Sequence, residues 1–464
     1  MKEQQGNAKL RSQPRSSTVR RFHETSQLAL PILVTRASPT SAERVFETRE
    51  ALQRILRQDL SFDTPQSPRA LHNTHAFAAK FPPELPRLFI EGLTNLGEIV
   101  CDPMAGSGTA VAEAVLLGRI GVAVDVDPLA IKLSATKTSL QNPKQVKQVA
   151  TRVLERIGVI GLAADPWRAL GKRYDQRVVD FFRYWFTPRT IQELTALIER
   201  IRRVRNPSVR RALEVAFSSA IVTKSGGVSL ARDLAHSRPH KVSDKKVRPA
   251  LDAFAERVEK LCAGLSILAE APGRAITIMG DARSLPLADN SVALIVTSPP
   301  YANAIDYPRA HKFSLFWLGE PYDSLAKRRP EYIGAEVKER MEALPSSTAT
   351  LAVESVARRD KDKAAILFRY FRDMHRALQE MFRVLEPARA AVIVVGSSRV
   401  RDIDVQTPLA IAELGAQAGF KLVGMAERPL SRNHRLMPIA HRSTRAGIEA
   451  RIHEEQVIAF LKEH

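Results

Sequence analysis

Cysteine is all but missing from this chain: its 464 residues hold two, Cys101 and Cys262. Two thiols make neither a disulfide framework nor a four-cysteine zinc site, and a reducing, cytoplasmic compartment fits such a composition. Long apolar runs are missing too. No stretch is long and apolar enough to cross a bilayer, and no signal-peptide core stands near the start, so a membrane is not an expected partner. Negative charge is scarce: 50 Asp and Glu stand against 70 Lys and Arg, a net charge of +20. The excess points to a polyanionic partner, of which nucleic acid is the commonest, without separating DNA from RNA. The alternative is a basic protein that is merely soluble. What is present is 44% hydrophobic, enough for one large domain or two to three smaller ones. No internal repeat is evident.

Residues 1–40 are polar, Ser/Arg-rich and poor in apolar periodicity, apart from a short run at Leu28 to Val34 that Pro31 interrupts. They are expected to be a disordered basic arm. Arg11, Arg15, Arg20 and Arg21 suit a phosphate backbone; an ordinary frayed terminus is the alternative, and Glu3 and Glu24 speak against a transit peptide. Ser41 to Leu60 has helical spacing, with Ser41 as its cap. Residues 41–139 form the first part of a sheet domain. Within it, Pro82 and Pro83 suit the first turn of a helix running to about Leu96, with Lys80 and Phe81 just before it.

Glu98 to Asp102 has the pattern of a strand. A glycine turn, Pro103 to Thr109, a helix, Ala110 to Leu117, and a second strand, Gly121 to Val126, follow. Asp125 and Asp127 stand at the second strand's end. Strand, glycine turn, helix, strand and acid are the parts of a nucleoside-binding crevice. The third glycine of a dinucleotide fingerprint is absent, and an acid at position 102 repels a pyrophosphate but suits an amine. The amino-acid moiety of S-adenosylmethionine (AdoMet) therefore explains Asp102 better than NAD does. No lysine follows Gly108, which excludes a phosphate-gripping P-loop.

Residues 140–270 stop alternating strand and helix. Ile191, Leu194, Leu197, Ile198 and Ile201 have helical spacing, as do Leu251, Phe254, Val258 and Leu261. The segment is expected to be a mainly helical insertion, with Phe181, Phe182, Tyr184, Trp185 and Phe186 as core. Its basic residues fall in two groups. Arg200 to Arg211 is the pattern of a solvated helix face. Arg232 to Lys246 is a polar basic loop, from which Arg238, His240 and Lys241 are the expected nucleic-acid contacts. His236 and His240 have metal-ligand spacing, but Pro239 opposes a regular helix there.

Residues 271–464 return to the sheet. Ala275 to Met279 is a third strand and Asp281 follows it, able to accept from an adenine amine or to cap a turn. Val292 to Val296 is a fourth strand, and Ser298-Pro299-Pro300-Tyr301 follow. Neither proline has an N–H for the ladder, so the strand ends there. A hydroxyl, a carbonyl held by proline and an aromatic face suit a planar base with an exocyclic amine; the alternative is a strand that simply stops. Asp306, Tyr307 and Arg309 are candidates for the target pocket. Residues 327–363 are charge-rich and aperiodic, expected as a surface excursion. Phe368 to Leu385 is an amphipathic helix, Ala390 to Val395 a fifth strand, Leu409 to Ala418 a helix, and Lys421 to Ala426 and Gln456 to Phe460 the last strands. Between these lies a basic loop, Arg428 to Arg435, with Arg432, His434 and Arg435 as expected backbone clamps.

Asp102-Pro103-Met104-Ala105-Gly106-Ser107-Gly108-Thr109 resembles the AdoMet motif of the DNA amino-methyltransferases, which usually carries Phe where Met104 stands. Thr297-Ser298-Pro299-Pro300-Tyr301 resembles their catalytic motif. Its serine form is typical of the N4-cytosine enzymes, whereas the N6-adenine enzymes more often begin with Asp or Asn. His75 to Leu85 is similar to the family's segment preceding the cofactor loop. The resemblance spans Thr74 to Val126 and Ile276 onward. It implies an α/β fold, a Rossmann-like AdoMet-dependent methyltransferase sheet of seven strands, the last antiparallel, with the insertion as target-recognition region. It implies AdoMet as cofactor, held by Lys80, Phe81, Asp102, Ala105, Gly106, Gly108, Asp125 and Asp281. Asp102, Ala105 and Gly106 would surround its methionine part, Asp125 its ribose and Asp281 its adenine. Ser298, Pro299, Pro300 and Tyr301 would be catalytic. The implied reaction is methylation of the N4 of a flipped-out cytosine in double-stranded DNA, with a restriction endonuclease as an allowed companion. N6-adenine methylation, RNA guanine-N2 methylation and a non-catalytic DNA-binding module are the alternatives.

Overall fold

The structure is a computed structural model that describes residues 40–62, 69–77, 80–223, 227–232, 239–302, 307–430 and 454–464, without the side chains of residues 307 and 310. Residues 1–39 of the N-terminal arm, Arg238, Asp306, Arg432, His434 and Arg435 lie outside the described residues.

Seven strands form one sheet: β1 (Ile99–Asp102), β2 (Ile120–Asp125), β3 (Arg274–Met279), β4 (Val292–Thr297), β5 (Leu385–Gly396), β6 (Lys421–Pro429) and β7 (Glu454–Lys462). Their order is β3-β2-β1-β4-β5-β7-β6. All neighbours pair parallel except β7, which runs antiparallel to both β5 and β6. This is the expected Rossmann-like methyltransferase sheet. Central strands of a parallel sheet are covered on both faces and so have continuous apolar sequence; every residue of β4 is buried. The chain steps outward from β1 to β2 to β3, then returns to place β4 on β1's other side. That reversal makes a switch point between β1 and β4, where α/β sheets open their ligand crevice.

Several boundaries differ from expectation. The first helix, Ser41–Leu56, is capped by Thr40 rather than Ser41, in a box with Glu43. The helix after Pro82-Pro83 is Glu84–Leu93 and stops short of Leu96, because Thr94 is extended and returns its hydroxyl to Ile90 O. The charge-rich stretch before Lys363 is not all surface. It contains helix Ser347–Ala357, which buries Ala349, Ala352, Val353 and Val356. These small residues follow helical spacing, obscured in sequence by the charged flanks.

Between β2 and β3, after helix Pro128–Lys137, lie the helices Pro143–Ile160, Trp167–Gly171, Gln176–Trp185, Pro188–Arg202, Pro207–Ile221 and Ala250–Leu268 and, among the described residues, one short hairpin, Ala231–Arg232 against His240–Lys241. Asn142, Thr187 and Asn206 cap three of the helices, each with proline in the first turn, the preferred chemistry of a helix start. The helices grip the segment that follows the Ser298–Tyr301 turn, helix Tyr307–Leu318. Phe182 stacks on Trp317 at 3.9 Å between centroids, and the Tyr174 hydroxyl donates to Trp317 O at 2.8 Å. Trp317 is fully buried, as is Phe186 nearby, whereas Tyr184 is exposed.

Candidate active site

One cavity sits at the β1/β4 switch point. Its lining includes Lys80, Phe81, Asp102, Ala105, Gly106, Asp125, Asp281, Ser298 and Pro300. The two glycine-turn and proline-turn motifs, nearly two hundred residues apart in sequence, therefore share one rim.

Asp102 ends β1 and is 2% exposed. Its Oδ1 accepts from Thr297 Oγ1 at 2.7 Å and from Met104 N at 3.2 Å. Oδ2 accepts nothing among the described residues and is left for a ligand. Burial pushes the carboxyl up to about 7, against the pull of those two donors. A buried carboxylate with one vacant oxygen is suited to a cation that restores the lost solvation.

The glycine turn brings backbone to the cavity. Gly106 has φ +49°, and a Cβ there would sit 3.2 Å from the Phe77 ring. Its N–H donates to Asp125 Oδ2 at 2.7 Å. Gly108 also has positive φ, caps helix Thr109–Leu116 and presses on Ser134, where a Cβ would lie 2.6 Å from Oγ. Gly108 does not line the cavity; its part is the turn and the packing. Asp125 ends β2 and faces the cavity. Burial and the charge of Asp127 raise its carboxyl to about 7. Asp127 points elsewhere. It caps helix Pro128–Lys137 and meets His311 Nδ1 at 2.6 Å. Burial opposes its ionisation, but His311 and the cap N–H groups outweigh that and hold it below the usual carboxylate range.

From the proline turn, Ser298 and Pro300 line the cavity, and Pro299 and Tyr301 do not. Tyr301 is buried, and its hydroxyl donates to Glu455 Oε1 at 2.5 Å. Glu455 in turn pairs with Arg428, its direct partner across the β6–β7 ladder. Both are buried. Arg428 thus belongs to a strand and an ion pair, not to the expected basic loop.

Three expected positions have prior partners. Both oxygens of Asp281 are taken by Arg283, whose Nη2 lies at 2.6 Å from Oδ2 and which also reaches Asp373. Lys80 Nζ donates to the carbonyls of His72 and His75, at 2.9 and 2.6 Å, so it braces the preceding loop. Arg309 pairs with Glu336 at 3.2 Å. His240 and Lys241 are exposed on the hairpin, with Lys241 Nζ over the Tyr184 ring.

Residues 21–136 match a family model described as DNA methylase. The Type II methyltransferase M.MvaI of Kocuria varians is 22% identical over 383 residues, 77% of this chain and 83% of that protein. The Type II methyltransferase M.MjaII of Methanocaldococcus jannaschii is 26% identical over 117 residues, 25% of this chain and 22% of that protein. Over these residues the chain is similar to DNA methylases.

Among solved structures, a SAM-dependent methyltransferase of Methanosarcina mazei is 11% identical over 81% of this chain and 98% of its own, with a TM-score of 0.29. The cavity fits AdoMet, the expected cofactor: the unpaired Asp102 oxygen suits its ammonium and the glycine backbone admits a close ligand. Sequence reasoning gave no individual site role to Thr297, Phe77, His311, Glu455 or Arg428. Thr297 was legible as part of its motif. Glu455 and Arg428 carried a weaker signal: a charged residue of each sign at matching ends of two strands.

Proposed function

We propose that this protein is a site-specific DNA methyltransferase that moves the AdoMet methyl to the exocyclic N4 of a cytosine turned out of the duplex. The observation that carries this reading is the shared rim of Asp102, Gly106 and Ser298. AdoMet, when bound, supplies a methyl already activated on a sulfonium. The chain's own residues then have a positioning task. The Ser298 hydroxyl and the Pro299 carbonyl accept hydrogen bonds from the N4 amine, draw its lone pair out of the ring and aim it at the cavity. Tyr301, its phenol tethered by Glu455, offers a fixed ring beside the turn for the extruded base. Asp125 is the acceptor for the ribose hydroxyls and Lys80 and Phe81 close the cavity's entrance side. The serine in first place of the motif favours cytosine over adenine.

The test is to incubate the protein with DNA and labelled AdoMet, digest to nucleosides and weigh them. N4-methylcytosine is the expected product, and Ser298→Ala is expected to lower its rate about 100-fold, in the range for losing one transition-state contact. N6-methyladenine alone, or transfer to RNA in preference to DNA, overturns the assignment.

A further inference from the structure

The helical insertion holds a second concavity, of about 620 Å³, that shares no lining residue with the cofactor cavity. Arg168, Lys172, Arg173, Arg202 and Arg203 line it, with Asp165 and Glu199. Among the described residues none of these five cations forms an ion pair. Elsewhere in the insertion carboxylates do answer cations, as in Lys147–Glu259, Arg189–Glu193 and Arg248–Glu256. Like charges left facing one groove repel one another unless an anion comes between them.

Two features tie the groove to the catalytic rim. Helix Ala250–Leu268 ends six residues before β3 begins, so its start is directed toward the side where the strands end. Helix Pro143–Ile160 runs antiparallel to it, as Cys262 on Pro143 O and Lys147 on Glu259 require. The residues after Ile160, which include the groove's Arg168, Lys172 and Arg173, therefore emerge toward the rim side. Arg202 is fixed as well: its Nη2 donates to Trp317 O at 3.1 Å and to the Tyr174 hydroxyl at 3.3 Å. Trp317 lies at the far end of the helix that starts six residues after Tyr301. Twelve residues of helix span roughly 18 Å, and a duplex rising 3.4 Å per base pair covers that in about five pairs. A guanidinium held in place by protein acceptors is suited to phosphate oxygens.

We infer that this groove binds backbone phosphates of the DNA duplex, several base pairs from the methylated base. The inference rests on the DNA-methyltransferase reading and adds the surface that grips the substrate. It also reverses the expectation that the Arg200 to Arg211 group is only a solvated helix face.

The experiment replaces Arg168, Lys172 and Arg173 together by glutamine in the full chain and measures duplex-DNA affinity at several salt concentrations. The slope of log K against log salt is expected to fall by about 2 to 3, since each phosphate contact contributes about 0.9, and Kd to rise at least tenfold at 0.15 M salt. AdoMet affinity, the circular dichroism spectrum and kcat at saturating DNA should stay at wild-type values. A control triple variant, Arg44→Gln, Arg54→Gln and Arg57→Gln, removes the same charge from helix Ser41–Leu56 and its C-cap and should keep most of the slope. An unchanged slope in the groove variant, or an equal loss in the control, overturns the inference. If wild type still methylates DNA in that case, the proposed function survives without it. Wild-type protein that ignores duplex DNA and binds RNA through these residues sinks both.

Discussion

Thr297 Oγ1 donates a 2.7 Å hydrogen bond to Asp102 Oδ1, joining the last residue of β4 to the last residue of β1. The bond crosses the switch point and leaves Oδ2 without a partner among the described residues. A hydrogen bond to a charged group contributes about 1.5–3 kcal/mol. Thr297→Val keeps the shape and removes the donor, so AdoMet affinity should fall about tenfold, or somewhat more, by calorimetry. Unchanged affinity would show that Asp102 takes its orientation from the β1 backbone alone.

Asp102 and Asp125 both titrate near 7 because burial disfavours their charged forms. Their folded values lie above the unfolded value of about 4. The folded, ligand-free state therefore binds extra protons between pH 4 and 7. Their contribution to stability is full below pH 4 and declines as pH rises to 7. Ligand binding has the opposite trend, since an ammonium prefers an ionised Asp102. Raising pH from 6 to 8 should thus lower the thermal midpoint of the free protein while tightening AdoMet about tenfold. Asp102→Asn should flatten much of the binding trend. A pH-independent Kd in wild type would exclude a titrating Asp102 as the ammonium's partner.

Tyr301 and Glu455 are 154 positions apart and 2.5 Å from each other. If the phenol serves to hold the ring, Tyr301→Phe and Glu455→Gln remove one and the same constraint. Each should lower kcat several-fold, and the double variant should be little worse than either, a coupling of about 1 kcal/mol. Tyr301→Phe should leave stability within about 1 kcal/mol. Glu455→Gln should cost about 3 kcal/mol, because Arg428 keeps a buried charge without its counter-ion. Additive losses in kcat would mean that Glu455 acts on the site by some other route.

The sheet was largely legible because buried parallel strands have continuous apolar sequence, as in Val292 to Val296, and because glycine and proline mark where they end. Asp102, Gly106, Asp125 and Ser298 were legible for the same reason: each stands where a strand gives way to a turn. What escaped is what depends on partners distant in sequence. Asp281 looked free until Arg283 folded back on it. Arg428 looked like loop until the β6–β7 register set it against Glu455. The groove at Arg168 and Arg202 needed two helices to be brought together. A linear pattern fixes which way a side chain points along its own element, and leaves open what another element places opposite.

Cys101 lies on β1, adjacent to Asp102, and is fully buried. A thiol attacks as thiolate, and here burial, followed by the charge of Asp102, drives the thiol far above its ordinary range. Cys262 is also buried, and burial raises its thiol to about 11. Neither is poised as a nucleophile. Methyl transfer through a covalent cysteine adduct would need one of them. Positioning chemistry at Ser298 needs neither. Cys101→Ala should therefore keep kcat within about threefold while costing about 1–2 kcal/mol of stability from the small cavity it leaves. Native protein should show no rapid reaction with a thiol reagent, and two equivalents should react after unfolding. Loss of transfer in a Cys101→Ala variant that still folds and binds AdoMet would refute the positioning mechanism.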